Sequence, residues 1–208
     1  QLPSGVLHPA TKNVIGNGCV VHLPTLLEEI DELEKIGVNL TDRLFISDRA
    51  TILFDFHKEL DGLSESKLGD KKIGTTKRGI GPAYSDRVNR RGFRMGDLRN
   101  FENFAEKLRA RLDEINSTPG MPFRFDAGRE INLYLDFAER LDGMIVDTAE
   151  ILQSALGSGK TILAEGAQAA LLDVDFGSYP FVTSSTTTAG GIFSGLGVPP
   201  GNVDSIGV

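Results

Sequence analysis

Apolar side chains recur every three or four residues in several stretches of the chain, the spacing that places them on one face of a helix. The stretches are residues 26–33, 52–63, 101–115 and 131–141. Thr25 and Glu28 have the spacing of a capping box, which predicts that the first helix begins at Thr25. Gly37 predicts where this helix ends. A Pro/Gly break at residues 118–122 predicts the loop between the last two helices.

Shorter apolar runs predict strands. They occupy residues 44–47, 144–147 and 161–164. The last two runs flank a helical stretch at residues 151–156, and strand–helix–strand with short joints indicates a βαβ unit and a parallel sheet. The predicted fold class is therefore α/β, with a mostly parallel central sheet flanked by helices.

The charge is unevenly distributed along the chain. The 208 residues carry a net charge of −7, but residues 66–94 hold nine basic and two acidic side chains, a net +7, which leaves −14 for the rest. An acidic chain with one basic segment argues against general nucleic-acid binding and suits a local anion site, such as one for a phosphorylated small molecule. A solvated basic face is the alternative. No apolar run approaches the ~20 residues of a membrane span.

Glycine, hydroxyl and cationic residues alternate within residues 73–82. Glycines let backbone amides approach an anion closely, so the segment is predicted to cradle a phosphate, with a flexible surface loop as the alternative. The side chains that could bind the anion are Thr75, Thr76, Lys77 and Arg78. Further along, three arginines would fall near one face if a helix continued that far, which suits bidentate phosphate contacts: Arg87, Arg90 and Arg94.

Two later segments also carry candidate chemistry. Gln168 follows the predicted strand 161–164, and ligands of open α/β sheets bind at the carboxyl ends of strands. Six consecutive hydroxyl residues, 183–188, offer dense hydrogen-bond donation to an anion or a sugar. Residues 157–161 look like the end of a P-loop, but a helix precedes them and a strand follows, which favours a helix C-cap. Asp173 and Asp175 would point to opposite faces of an extended chain, which argues against a carboxylate pair.

These segments together resemble the adenylosuccinate synthetase family along the whole chain. The matching segments are residues 2–5, 13–18, 73–84, 90–92, 165–168 and 179–185. Two positions depart from the family pattern: Ala169 replaces the usual glycine after Gly-Ala-Gln, and Thr186 replaces a common asparagine. The match covers the family's middle part, so we expect residues 1–208 to be the central part of a single domain, with a P-loop-NTPase-like ligase architecture truncated at both ends.

The resemblance implies a GTP-dependent ligase that joins IMP to L-aspartate and releases adenylosuccinate, GDP and phosphate. GTP phosphorylates the purine O6, and the aspartate amine then displaces that phosphate at C6, with Mg²⁺ assisting the first step. The family's GTP loop, its catalytic acid and base and its magnesium ligands are expected outside this chain, so no metal site is expected within it. A cytoplasmic homodimer is implied, without nucleic-acid or membrane partners.

The resemblance also implies roles for particular residues. Thr76 and Thr183 match threonines that bind the IMP phosphate. Gln168 matches a glutamine near the purine 6-position, with a supporting catalytic role. Arg90 matches an arginine that reaches into the partner subunit's site, and the neighbouring basic positions at the dimer interface are Arg87 and Arg94. Two other readings stay open: a distinct nucleotide-binding enzyme that reuses these loops, and a non-catalytic phosphate-binding or dimerisation module.

Overall fold

The chain folds around short parallel sheets. The structure is a computed structural model that describes residues 1–69 and 73–206. Strands β1 (Asn13–Ile15), β3 (Leu44–Ser47) and β5 (Ile145–Val146) form one sheet in the order β1-β3-β5. Strands β2 (Val20–His22) and β4 (Thr51–Leu53) form a second pair. Among the residues that the structure describes, the three strand pairings are all parallel, which confirms the predicted fold class.

Helices flank these strands. Their bounds are α1 Leu23–Lys35, α2 Asp55–Lys67, α3 Ile80–Val88, α4 Phe101–Ser117, α5 Ala127–Leu141, α6 Thr148–Gly157 and α7 Gly190–Leu196. Short 3-10 turns occupy Ser4–Leu7, Met95–Arg99 and Ala170–Leu172. In the described ranges, no helix combines the length and the apolar character that crossing a bilayer requires.

The apolar faces of α4 and α5 meet in an aromatic core. Phe104 of α4 and Tyr134 of α5 are both buried, and their ring centroids lie 5.8 Å apart. The ring centroid of Phe54, which directly follows β4, lies 4.7 Å from that of Tyr134 and 5.1 Å from that of Phe93, which it meets edge-on. The helices predicted over residues 101–115 and 131–141 are confirmed. The side chains that α4 buries are predicted apolar positions, whereas in α5 the core also buries Phe137 and leaves Leu135 39 % exposed.

Two predicted element starts are wrong. Helix α1 begins at Leu23, because Pro24 sits in its first turn and the His22 ring accepts the hydrogen bond of the Thr25 amide at 3.3 Å. Ile52 belongs to strand β4, since Phe54 is extended (φ −104°, ψ 162°) and α2 starts only at Asp55. The predicted stop of α1 is confirmed by the left-handed Gly37, whose φ is +86°.

The strand predicted at residues 161–164 does not form. This segment is extended, Leu163 is 83 % exposed, and none of the residues that the structure describes pairs with it. A strand forms only where a neighbouring strand takes up its backbone hydrogen bonds. The parallel neighbour of β5 is instead β3, which precedes it by about a hundred residues in the chain.

Candidate functional site

Two buried carboxylates of α2 hold the glycine-rich loop, residues 74–79. Glu65 accepts hydrogen bonds from the amides of Gly74 (3.0 Å) and Thr75 (3.1 Å). Asp61 accepts one from the amide of Gly79 at 3.0 Å. Glu65 is 3 % exposed and Asp61 6 %. The hydrogen bond from the Gly74 amide is the largest influence on the pKa of Glu65 and lowers it. The loop backbone is therefore fixed against α2.

The loop ends at a position that only glycine fits. Gly79 has a φ of +79°, and a Cβ there would lie 2.7 Å from backbone atoms of both His57 and Lys58. Helix α3 begins immediately after it, so this close approach sets where α3 starts. Thr76 lies within the anchored loop and is exposed, as a residue that binds a ligand needs to be.

Helix α3 connects two other candidate segments. The Tyr84 hydroxyl donates a hydrogen bond to the Gly18 carbonyl at 2.8 Å, and Arg87 Nη1 donates to the same carbonyl at 3.4 Å. On the other side, a Cβ at Gly81 would lie 3.4 Å from Ser184 Oγ. The loop at residues 74–79, the turn at 16–18 and the hydroxyl loop at 183–188 therefore meet around α3.

Arg87, Arg90 and Arg94 do not share one helical face, because the helix does not continue as far as the prediction required. Helix α3 ends at Val88, Arg90 adopts a left-handed φ of +60°, and Arg94 is extended at φ −103°. Arg87 is partly buried, whereas Arg90 and Arg94 are exposed. Three members of the basic segment lie outside the described residues: Asp70, Lys71 and Lys72.

A buried ion cluster fixes the inner face of α3. Arg111 Nη2 lies 2.9 Å from one carboxylate oxygen of Asp86, and His57 Nε2 lies 3.4 Å from the same oxygen. Burial alone would raise the pKa of Asp86, but the His57 hydrogen bond and the Arg111 charge outweigh it and lower this pKa. Burial is the main cause that lowers the pKa of His57. The cluster ties α3 to α2 and α4.

The hydroxyl loop is organised around one carboxylate. Asp173 is fully buried and accepts four backbone hydrogen bonds. The donors are the amides of Asp175 (2.9 Å), Phe176 (3.0 Å), Thr187 (2.7 Å) and Thr188 (3.2 Å). The Phe176 and Asp175 amides are the largest causes that lower the pKa of Asp173 to about 2. The Thr183 amide donates to the Leu172 carbonyl at 2.9 Å, so both ends of the hydroxyl run are fixed.

Gln168 lies at the end of the extended segment that follows α6. The residue is exposed. Earlier in the segment, Glu165 accepts hydrogen bonds from the backbone amide (3.0 Å) and hydroxyl (2.9 Å) of Ser4. Ala169, where the family pattern has glycine, has φ −77° and ψ 160°, which any residue adopts. The structure therefore gives this departure no backbone cost.

Glycines also bring α7 against the turn at residues 16–18. The Gly18 amide donates to the Gly195 carbonyl at 2.8 Å. A Cβ at Gly16 would lie 2.5 Å from that carbonyl oxygen, and one at Gly18 would lie 2.7 Å from the Gly195 Cα. The Asn17 side chain adds a hydrogen bond to the Ser194 carbonyl at 2.7 Å. Backbone contacts thus join the start of the chain to α7, which directly follows the hydroxyl loop.

The sequence pattern alone did not predict the three carboxylates that anchor these loops: Asp61, Glu65 and Asp173. Asp61 and Glu65 stand four residues apart on α2, before the glycine-rich loop, and this spacing is a signal that could have indicated them. For Asp173, the alternation with Asp175 bears only on a carboxylate pair and gives no sign of the loop contacts. Over residues 1–69 and 73–206, no three His, Cys, Asp or Glu side chains cluster as a metal would require. Residues 157–161 are a helix C-terminus, as predicted, with Gly159 at φ +72°.

The fold and these loops define a parallel α/β protein in which three glycine- or hydroxyl-rich segments converge on one short helix. A sequence profile described as adenylosuccinate synthetase matches residues 1–208. The chain belongs to the adenylosuccinate synthetase family.

Individual relatives agree with this assignment. Adenylosuccinate synthetase of Phaeodactylum tricornutum is 47 % identical over 99 % of this chain, which covers 39 % of that protein. The chloroplastic adenylosuccinate synthetase of Arabidopsis thaliana is 50 % identical over 100 % of this chain and 43 % of its own length. The chain therefore spans less than half the length of these relatives.

Solved structures support the fold. Fully ligated adenylosuccinate synthetase from Plasmodium falciparum superposes with a TM-score of 0.88 at 46 % identity, covering 95 % of this chain and 46 % of that one. A cyanophage succinoaminodeoxyadenylate synthetase superposes with a TM-score of 0.57 at 22 % identity, covering 95 % of this chain and 44 % of that one. This second likeness shows a shared fold only.

Proposed function

We propose that the protein containing this chain joins IMP to L-aspartate at the expense of GTP, forming adenylosuccinate, GDP and phosphate. In the first step the GTP γ-phosphoryl group is transferred to the purine O6. In the second the aspartate amine attacks C6 and phosphate leaves. The observation that carries the proposal is the convergence of the two anchored threonine loops around α3, in a chain that the family profile matches over residues 1–208.

In this proposal the chain supplies the IMP-binding part of the site. The Thr76 and Thr183 hydroxyls donate hydrogen bonds to the IMP phosphate from loops whose backbones are fixed by Glu65 and Asp173. Because the loops are fixed before the ligand arrives, little ordering entropy is lost on binding. The Gln168 amide, which can both donate and accept, contacts the purine near position 6.

A homodimer completes the site. Arg90 is exposed and left-handed at the end of α3, and we propose that it reaches the IMP of the partner subunit. Arg87 and Arg94 flank this interface. A guanidinium suits the role because it forms two parallel hydrogen bonds to a phosphate.

The magnesium ligands and the GTP loop remain predicted outside this chain. The part of the chain that the structure describes contains no cluster of three metal-binding side chains, so no step is assigned to a metal here. Some relatives are named as chloroplastic, so the cytoplasmic location remains a prediction.

The test is steady-state kinetics of the full-length protein carrying Thr76→Ala or Thr183→Ala. Each change removes a hydroxyl hydrogen bond to a charged group, worth about 1.5–3 kcal/mol, so the KM for IMP should rise roughly 10- to 150-fold with little change for GTP. Thr41→Ala, at an exposed turn before β3, is the matched control.

Two outcomes would contradict the proposal at different levels. An unchanged KM for IMP in both variants would remove the assigned roles of these threonines. A wild-type protein that forms no adenylosuccinate from IMP, aspartate and GTP would favour a non-catalytic phosphate-binding or dimerisation module. The 208-residue chain alone should form no product, because the family's acid, base and GTP loop match no segment of it.

A further inference from the structure

Asp173 has contacts that the proposed chemistry does not use. Its side chain is fully buried, and both of its oxygens are occupied by backbone amides. Four N–H donors favour the ionised form, which is why the pKa of this carboxyl lies at about 2. Such a group has neither an oxygen to offer a substrate nor a proton to donate near neutral pH.

The two oxygens serve different parts of the loop. One accepts the amides of Asp175 and Phe176, which close the turn that follows Asp173 itself. The other accepts the amides of Thr187 and Thr188, at the far end of the hydroxyl run. A single carboxylate therefore connects the turn at Asp173 to Thr187 and Thr188, which lie 14 and 15 residues further along the chain.

Thr183 is fixed by the same arrangement. Its amide donates to the carbonyl of Leu172, the residue before Asp173. The Thr187 hydroxyl also donates to the Ala169 carbonyl at 3.0 Å, a further tie across the loop. The run that carries Thr183 is thus held at its start by Leu172 and at its end by Asp173.

We propose that Asp173 is a positioning residue that sets the conformation of the hydroxyl loop and so determines the affinity for the phosphorylated substrate. This rests on the proposed binding of the IMP phosphate by Thr183. Asp173 acts through the loop backbone and touches no substrate. Its loss should weaken IMP binding, whereas GTP, whose binding loop matches no segment of this chain, should bind as before.

The experiment compares Asp173→Asn with wild type in the full-length protein. Asparagine keeps the side-chain shape but places an NH₂ group against two amide donors, so the loop loses hydrogen bonds to a charged group. We expect the KM for IMP to rise about tenfold or more, while the KM for GTP stays within about twofold. The matched control is Asp175→Asn, because Asp175 is exposed two residues away in the same loop.

Hydrogen exchange gives a readout that does not depend on catalysis. In Asp173→Asn, peptides covering residues 183–188 should exchange faster, while peptides from α4 should not change. A purely structural role would instead raise exchange in α4 and lower the affinity for every substrate. If Asp173→Asn gives no folded protein, Asp173→Ser, which keeps one acceptor oxygen and adds no opposing NH₂ group, is measured in the same way.

The outcomes separate this inference from the proposed function. An active wild type with an unchanged KM for IMP in both Asp173 variants would overturn the positioning role alone. Equal losses for IMP and GTP, or faster exchange throughout the protein, would overturn it as well. An inactive wild type would contradict the proposed function, and in that case unchanged exchange at residues 183–188 would still refute the role of Asp173 in the loop.

Discussion

Replacing the buried Asp86 by asparagine preserves the size of the side chain but removes the negative charge that Arg111 faces. The two side chains are 8 % and 11 % exposed and lie 2.9 Å apart, so the Arg111 charge would lose the partner that is itself buried. Removing one partner of a buried ion pair costs about 3–5 kcal/mol. Glu114 remains 2.6 Å from Arg111 and offsets part of the loss, so we expect about 3 kcal/mol, the lower end.

The assay is urea-induced unfolding of the full-length protein, which gives the change in unfolding free energy from the shift in midpoint. A matched comparison comes from the two arginines that face Asp86. Arg111→Met removes the partner that is 11 % exposed, whereas Arg91→Met removes one that is 50 % exposed and 3.5 Å away. The second change should cost less than about 1 kcal/mol, because solvent screens an exposed pair.

A double-mutant cycle isolates the pair itself. If Asp86 and Arg111 stabilise each other, the double variant should be less destabilised than the sum of the single variants, with a coupling of about 1–3 kcal/mol. A loss below about 1 kcal/mol for Asp86→Asn would refute the reasoning, since the carboxylate would then be replaceable by a neutral group of the same shape.

Three further predictions concern His57, Arg90 and Gly79. Burial lowers the pKa of His57 in the folded protein, so His57 becomes protonated at a higher pH in the unfolded chain than in the folded one. The free energy of unfolding should therefore fall as the pH drops below about 6.5, and His57→Gln should flatten this slope in pH-dependent unfolding. Arg90→Leu and Thr183→Ala, each weakly active alone, should recover about a quarter of wild-type activity after subunit exchange, because about half of the dimers are then mixed and have one intact site; no gain would show that Arg90 does not act in trans. Gly79→Ala should destabilise the protein by more than about 1 kcal/mol, because its Cβ would lie 2.7 Å from backbone atoms at φ +79°, whereas Gly157→Ala, with open space, should be neutral in thermal unfolding.

The sequence predicted elements well where local pattern and core packing agree. Phe104 of α4 and Tyr134 of α5 are buried in the aromatic core as expected, whereas Leu135 on the predicted apolar face of α5 is exposed. Ile52 was misassigned because its spacing to Phe56 also fits a helix, and only the pairing of Val21 with Ile52 in the second sheet decides between the two. The strand predicted at residues 161–164 does not form, because a strand depends on a pairing partner that its own sequence does not encode.

The candidate site was predicted only in part for a related reason. The loops that carry Thr76 and Thr183 were visible as unusual runs of glycine and hydroxyl residues. The carboxylates that hold them, Glu65 and Asp173, act on backbone amides, which every residue except proline has. Such contacts depend on how the chain folds back on itself, and they leave no required residue type at a fixed spacing.

The close approach of the turn at residues 16–18 to Gly195 has a consequence for how this scaffold can change. At Gly16 and Gly18 the turn touches Gly195 through main-chain atoms, so these two contacts have no side chain that could be shortened or lengthened. The separation of the turn from Gly195 is therefore not adjustable by small substitutions, since any added carbon would force them apart. A change in the ligand that the loops bind therefore has to come from exposed side chains such as Thr76. The distance between the segments that carry these side chains stays constant.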